Sequence, residues 1–191
     1  MYLLNSTRGY SVGGMYRFLT SAEELTVDGD YNDIWHKFVH TKISIFAWRL
    51  LQNRVPTRDN LVRRLALQPQ DNLCGGRCGS IETAYHLFLG CDVFRHVWLL
   101  IFHWPGFSFV CPRHIKDHFT QFTQLAGLPR ASYSYLKVIW LAFIWVTWKE
   151  KNNCIFKSTV TDPHSILDKV KRVSFLWLSA TSVPLAFGFY D

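Results

Sequence analysis

Residues 74–91 read CGGRCGSIETAYHLFLGC, and this stretch decides how the chain is organised. It holds three of the chain's five cysteines and one histidine. Cys74 and Cys78 flank a Gly-Gly-Arg turn, and His86 and Cys91 follow downstream. Three thiolates and one imidazole are the donor set of a four-coordinate structural zinc site. The pattern therefore favours a zinc site, and the alternative is a group of buried cysteines beside an unrelated histidine.

The segments around this stretch are rich in tryptophan and in basic residues. Residues 35–61 read WHKFVHTKISIFAWRLLQNRVPTRDNL, residues 86–98 read HLFLGCDVFRHVW and residues 144–156 read IWVTWKEKNNCIF. Together with the cysteines, these segments resemble the zinc-binding region at the C-terminal end of plant non-LTR (LINE-type) retrotransposon reverse transcriptases. The resemblance spans residues 10–156, and its most specific motifs lie within residues 35–98.

The resemblance implies a metal site and a parent protein. The family's metal ligands fall on Cys74, Cys78, His86 and Cys91, which implies one structural Zn²⁺ per chain. In such proteins this region follows a polymerase domain, so we expect the chain to be the tail of a longer protein with that domain as a partner. Two positions depart from the family pattern. His40 stands where proline is usual, and the first cysteine pair is one residue further apart than the common C-x2-C.

The composition is that of a folded, basic protein. Hydrophobic residues make up 49% of the 191 residues, which excludes an intrinsically disordered chain. The formal net charge is +7, with +4 carried by residues 31–73 and +5 by residues 111–191. This positive charge is consistent with an anionic partner. The alternative is that the lysines and arginines only keep the surface soluble.

The cysteines and the apolar segments bear on the compartment. An odd number of clustered cysteines, without a visible signal peptide, predicts a reducing intracellular compartment, whether nucleus or cytoplasm. The most apolar stretch, residues 138–146, is shorter than the about 20 residues that a membrane span needs. We therefore expect a buried core helix there and no membrane partner.

The cysteines and histidines outside the motif have simpler interpretations. Cys111 and Cys154 are expected to be buried as small hydrophobic residues. His96 is the alternative imidazole ligand if His86 does not bind. The other histidines, including His118, show no partner pattern and are expected at the surface or at the edge of the core.

The apolar periodicity predicts a mainly α fold, with a small zinc-stabilised helical domain followed by a C-terminal helical region. The predicted division is a lead of residues 1–30, a zinc-binding domain of residues 31–104 and a helical region of residues 105–191. Helices are predicted over residues 43–50, from Thr57, over residues 82–89, 93–102, 114–125 and 132–156, and from Asp162-Pro163.

Capping residues suggest where these helices begin and end. Thr57 has a side chain that caps helix N-termini, and Val55-Pro56 before it is expected to end the first helix. Ser80 is the expected cap of the helix that carries His86. Gly90 suits the left-handed conformation that stops a helix, and Asp92 then caps the next one.

Apolar stripes predict the buried faces. The predicted stripes are Ile43, Phe46, Ala47 and Leu50 on the first helix, Leu61 and Leu65 on the second, and Phe94, Val97, Trp98 and Ile101 on the fourth. The last stripe is expected to pack against Phe46 and Leu50.

Basic side chains concentrate just before the cysteine motif. The candidate nucleic-acid-binding residues are Lys42, Arg49, Arg54, Arg58, Arg63 and Arg64. A helix beginning near Thr57 would carry three of them close to its N-terminal N–H groups, which also favour phosphate. The alternative is a solvated face without a ligand.

Several kinds of catalytic chemistry have no motif in the sequence. We find no paired catalytic carboxylates, no Gly-rich phosphate loop and no H-E-x-x-H. The Tyr-x-Asp-Asp metal motif of reverse transcriptases is also absent, so a non-catalytic region without a small-molecule substrate is expected. Two functions fit: a zinc-binding accessory region that contacts the RNA or DNA backbone, or a retroelement-derived protein-interaction module that binds zinc but no nucleic acid.

Overall fold

The computed structural model describes residues 34–103, 112–124, 128–159 and 162–179. The α-helices in these ranges are α1 (Thr41–Leu51), α2 (Arg58–Arg63), α3 (Asp92–His103), α4 (Ile115–Thr123), α5 (Arg130–Lys157) and α6 (Pro163–Ser179). A 3-10 turn, Pro69–Asp71, and a π-helical turn, His86–Gly90, lie between α2 and α3. The strand pairing in the described residues is one isolated antiparallel bridge between Leu73 and Ile81. The predicted mainly α fold is confirmed.

The long helix α5 is the centre of the fold. Eleven of its residues are buried, and they lie on every side of the helix rather than in one stripe. Helices α1, α4 and α6 all pack against it, and α3 packs against α6. A helix surrounded in this way needs no polar face, which explains why its sequence shows no amphipathic period. No helix in the described ranges is both long enough and apolar enough to cross a membrane.

Helix α1 begins directly after His40, at the position where the related sequences usually have proline. The φ angle of His40 is −56°, which is close to the value that a proline ring imposes. His40 therefore adopts the conformation that proline would have, and the helix starts without a proline. The buried face contains Ile43, Ala47 and Leu50, as the apolar stripe predicts. Phe46 lies beside this face and contacts the indole of Trp145, with ring centres 5.8 Å apart.

Helices α1 and α2 each end two residues before a left-handed residue, and α1 ends before the Val55-Pro56 pair that was expected to stop it. Asn53 has φ 53°, and its N–H donates to Leu50 O, so α1 has already ended before Pro56. Leu65 has φ 59° and closes α2 in the same way. The prediction that Leu65 faces inward is therefore wrong, because the helix stops before that turn and the side chain is 93% exposed.

The apolar stripe of α3 is buried, and its tryptophan has different partners from those expected. The Trp98 ring centre lies 4.0 Å from that of Phe143 on α5 and 5.2 Å from that of Phe122 on α4. Its Nε1 donates to Phe88 O at 3.0 Å. Trp98 thus joins α3 to α4 and α5.

His118 lies inside this aromatic cluster, so its prediction as a surface or core-edge residue is wrong. It is fully buried, and Trp140 Nε1 donates to its Nδ1 at 3.1 Å. Burial lowers the pKa of His118 to about 3, because the charged imidazolium cannot be solvated there. Its apolar neighbours come from distant parts of the chain, which is why the local sequence gives no sign of this burial.

We expect the stability of the protein to depend on His118 as the pH falls. The ring is neutral in the folded state, whereas it binds a proton below about pH 6.5 in the unfolded state. The free energy of unfolding should therefore fall by about 1.4 kcal/mol per pH unit between about pH 6.5 and pH 3. Denaturant titrations at several pH values measure this slope. His118→Asn keeps an acceptor for Trp140 and should lose this part of the slope, while the exposed-site control His96→Asn should retain it.

The start of α6 is confirmed as the sequence predicts. The Asp162 carboxylate accepts the Ser165 N–H at 2.8 Å, and Pro163 occupies the first helical position. Ile166 and Val170 are buried against the core, whereas Val173 and Trp177 are half-buried. Cys154 is buried as predicted, and Cys111 lies outside the described residues.

Candidate metal centre

The first two cysteines lie on a short hairpin, residues 73–81, which we call the knuckle. The Leu73–Ile81 bridge closes it, and Cys74 N–H donates to Ser80 O at 2.7 Å. The tip turns through left-handed residues, with φ 61° at Arg77 and 81° at Gly79. The glycine accepts this conformation without a Cβ penalty.

The helical segment that carries His86 begins later than predicted. Thr83 Oγ1 accepts the His86 N–H at 3.0 Å, so Thr83 caps this segment and Ser80 does not. Gly90 is not left-handed, because Gly79 is the one described glycine with a positive φ. The segment ends instead as a π-helical turn, in which Cys91 N–H donates to His86 O at 2.6 Å.

The four predicted ligands lie together. The donor atoms of Cys74, Cys78, His86 and Cys91 are all within 4.8 Å of one another. Cys74 Sγ lies 3.9 Å from Cys91 Sγ, and Cys78 Sγ lies 3.1 Å from His86 Nε2. Tetrahedral zinc with Zn–S bonds of about 2.3 Å separates its ligand atoms by roughly 3.5–3.8 Å. The four residues can therefore hold a metal ion, and the alternative ligand His96 is not among them.

The surroundings of Cys91 favour the thiolate form that metal binding requires. The pKa of Cys91 is lowered to about 5, first because the Cys74 thiol donates to it and also because the N–H groups of Phe94 and Val93 do. The same hydrogen bond raises the pKa of Cys74. Gly76 donates its N–H to Cys74 Sγ at 3.3 Å. A Cβ at Gly76 would stand 3.3 Å from Cys91 Sγ, so the glycine also leaves room for the donor atoms.

Glu82 is a residue of this site that no sequence motif indicates. The helical pattern predicts it on the helix of His86, but it precedes that helix and is fully buried. Its Oε2 accepts the N–H of Gly75, beside the first ligand, at 2.8 Å. Its Oε1 accepts the N–H of Arg58 at 3.1 Å and pairs with Lys151 Nζ at 3.0 Å. One carboxylate thus connects the knuckle, the start of α2 and the central helix α5.

This arrangement changes the role predicted for the N-terminus of α2. Arg58 N–H donates to the Glu82 side chain and Asp59 N–H to the Glu82 carbonyl, so these groups have internal partners and do not face a phosphate. Thr57 occupies the predicted cap position, but its side chain makes no capping hydrogen bond. The buried carboxylate caps the helix in its place.

The six predicted nucleic-acid-binding residues are distributed over several surfaces. Lys42, Arg58 and Arg63 each line a different cavity. Arg63 pairs with Asp59 at 3.0 Å, and the guanidinium of Arg58 donates to Asp71 O.

The remaining three of these side chains are more closely grouped. Arg64 Nη2 donates to Arg54 O at 3.3 Å, which places two of the arginines side by side. Arg49 is exposed near the end of α1, and Arg54 and Arg64 are exposed as well. The structure thus brings Arg54 and Arg64 together and separates Lys42 from them.

Comparison with known proteins agrees with the metal site. Residues 10–98 match the family described as zinc-binding in reverse transcriptase, and all four ligands lie in this range. Searches of curated proteins and of solved structures gave no match. This domain type is an accessory zinc-binding domain, not a catalytic one. Residues 10–98, just under half of the chain, are therefore similar to zinc-binding domains of the reverse-transcriptase type.

Proposed function

We propose that this chain is the zinc-binding, nucleic-acid-binding accessory region of a retroelement reverse transcriptase. The observation that carries the proposal is the Cys3His cluster inside a domain of the reverse-transcriptase type. Three soft thiolates and an imidazole suit Zn²⁺, and four protein ligands leave no open position for a substrate. The ion would therefore have a structural role, as the fixed point of the knuckle.

The contact between the knuckle and α2 supports a role in binding. Glu82 holds Gly75 of the knuckle and Arg58 of α2 on one carboxylate, so an ordered metal site also orders α2, which ends at Arg63 and is followed by Arg64. Both arginines are exposed, and the chain's formal net charge is +7. Phosphate contacts from such side chains give affinity without sequence preference. Rigid placement of the arginines would reduce the entropy lost on binding.

Loss of Arg63 and Arg64 provides the test. We expect the Arg63→Ala/Arg64→Ala variant to bind all sequences less tightly while retaining its zinc. Three or four phosphate contacts in the parent predict a slope of log K against log salt of about −2 to −4, and the variant should have a flatter slope. Fluorescence anisotropy with RNA and DNA oligonucleotides at several salt concentrations measures both quantities.

A matched control removes two positive charges elsewhere. Lys37 and Lys157 are exposed and lie outside α2, so Lys37→Ala/Lys157→Ala changes the net charge equally. This control should bind almost as tightly as the parent. No binding by the parent at about 50 mM salt, or equal affinity of the arginine variant and the parent, would contradict nucleic-acid binding through α2.

A second candidate function is a protein-interaction module that holds zinc but binds no nucleic acid. Exposed apolar side chains favour it: Phe156 is 80% exposed and lines a cavity of about 450 Å³ with Leu61, Leu67 and Trp148. The polymerase domain of a longer parent protein would be the partner. Phe156→Ser should then abolish co-purification with that domain and leave oligonucleotide binding unchanged.

A further inference from the structure

A second surface, away from the knuckle, combines aromatic rings with lysines. A groove of about 250 Å³ lies between α1, α5 and α6, and we call it the indole groove. Its lining includes Lys42, Trp145, Lys149, Lys169, Val173 and Trp177. Residues four apart on a helix share a face, so Trp145 and Lys149 stand together on α5, and Lys169, Val173 and Trp177 on α6. The groove therefore has an indole on each of two facing helices.

The charges of the groove are positive and largely uncompensated. Lys169 pairs with Glu150 at 3.0 Å, which neutralises the acid that lines the groove. Lys42 Nζ stands 5.7 Å from the centre of the Trp145 ring. Lys149 is exposed, and neither it nor Lys42 forms an ion pair within the described residues. Two cations thus border a floor of indole and aliphatic carbon.

We propose that the indole groove binds single-stranded nucleic acid, with a base against an indole and phosphates at Lys42 and Lys149. Aromatic faces flanked by basic side chains are the means by which proteins hold unpaired strands without reading sequence. A duplex keeps its bases stacked on one another, so its bases could not enter the groove. The inference rests on the proposed nucleic-acid binding and extends it to a surface that α2 does not reach.

An acidic peptide is the competing occupant, and the groove favours the strand over it. A peptide carboxylate would be satisfied by the lysines alone and would leave both indoles without a planar partner. Stacked bases would use the rings as well as the charges, because every base has a π-face. The half-buried state of Trp145 and Trp177 leaves part of each indole available for such contact.

The test compares groove variants of the full, zinc-loaded chain on one labelled single strand and on its duplex. Lys42→Ala/Lys149→Ala should weaken single-strand binding at least about tenfold at low salt and reduce the salt slope by about 1.4, because two phosphate contacts are lost. Trp177→Leu should weaken it about 5-fold to 150-fold, the range for one stacked base, with the slope unchanged. The control Lys37→Ala/Lys157→Ala has the same charge as the lysine variant and should bind like the parent. Zinc content and thermal melting of each variant establish that it is folded.

The outcomes separate this inference from the proposed function. If the folded lysine variant binds the single strand as tightly as the parent, while Arg63→Ala/Arg64→Ala does not, the indole groove is overturned and α2 remains the binding surface. If the parent binds no oligonucleotide, both proposals fail. Equal loss on single strand and duplex, or displacement of the strand by poly-glutamate at equal charge concentration, would also overturn the assignment.

Discussion

The variants His86→Ala and Cys91→Ser are each expected to lose the proposed zinc ion and the ordered structure of residues 73–98. Cys91 is fully buried, and its sulfur lies 3.9 Å from Cys74 Sγ, so no other described side chain can replace it. Structural zinc contributes roughly 10–16 kcal/mol to the folding of small zinc units. This free energy exceeds the stabilisation that one bridge and a few hydrogen bonds give the short knuckle, so loss of the ion should unfold the knuckle.

Metal analysis and hydrogen exchange measure the two parts of this expectation. One zinc per chain should be found in the parent and none in the ligand variants. Amides of residues 73–98 should exchange first when a chelator is added. Cys154→Ala is the matched control, because Cys154 is buried but is not in the cluster. Zinc that persists in His86→Ala but disappears from Cys154→Ala or Cys111→Ala would show that the ligand set is wrong.

The second large effect is expected at the buried ion pair of Glu82 and Lys151. Glu82 is fully buried and Lys151 is 4% exposed, so removing either partner leaves a charge that water cannot reach. Such a change typically costs about 3–5 kcal/mol. In Glu82→Gln one carboxylate oxygen is replaced by an amide NH₂, which cannot accept a hydrogen bond. The backbone N–H of either Gly75 or Arg58 would then face another donor. Both Glu82→Gln and Lys151→Met should therefore lower the free energy of unfolding by roughly this amount.

A less buried pair of the same length serves as the control. Lys169 and Glu150 also lie 3.0 Å apart, but Lys169 is 49% exposed and Glu150 is 12% exposed, so Lys169→Met should cost less than about 1 kcal/mol. Urea titrations of the three single variants and of Glu82→Gln/Lys151→Met give the coupling directly. The double variant should be less destabilised than the sum of the singles, because it leaves no buried charge unpaired. Equal effects at Lys151 and Lys169 would show that burial of the pair contributes nothing.

The parts of the fold that follow from local patterns agree with the sequence predictions. The stripe Ile43, Ala47 and Leu50 is buried because a helix of period 3.6 places these residues on one face. Asp162 caps α6 because its carboxylate reaches an N–H only three residues away. Neither result depends on where the other helices lie.

Helix ends and side-chain burial were harder to predict. Leu65 fits an inward period, yet it is exposed because α2 ends at Arg63, two residues earlier. His118 has a polar side chain on a short helix, yet it is buried because Trp98 of α3 and Trp140 of α5, which are distant in the sequence, lie against it. Glu82 caps α2 in place of the expected cap Thr57. Its carboxylate also occupies an N–H group at the start of α2 that was expected to be free for a phosphate. Its partner Lys151 does not stand out in the sequence, because it follows Lys149 and Glu150 in a polar stretch of α5.

The sequence by itself determined the donor set of the metal site, because three thiols and one imidazole are the ligands of a soft, four-coordinate metal ion. Their spacing in the sequence also allows one hairpin and one helical turn to bring them together. The sequence also determined the helical periods. Only the tertiary structure decided which charges are buried, which N–H groups are already occupied and which rings line the indole groove. The physical reason is that desolvation and pairing depend on residues far apart in the chain, and the packing of α5 against its neighbours, not the local sequence, sets those distances.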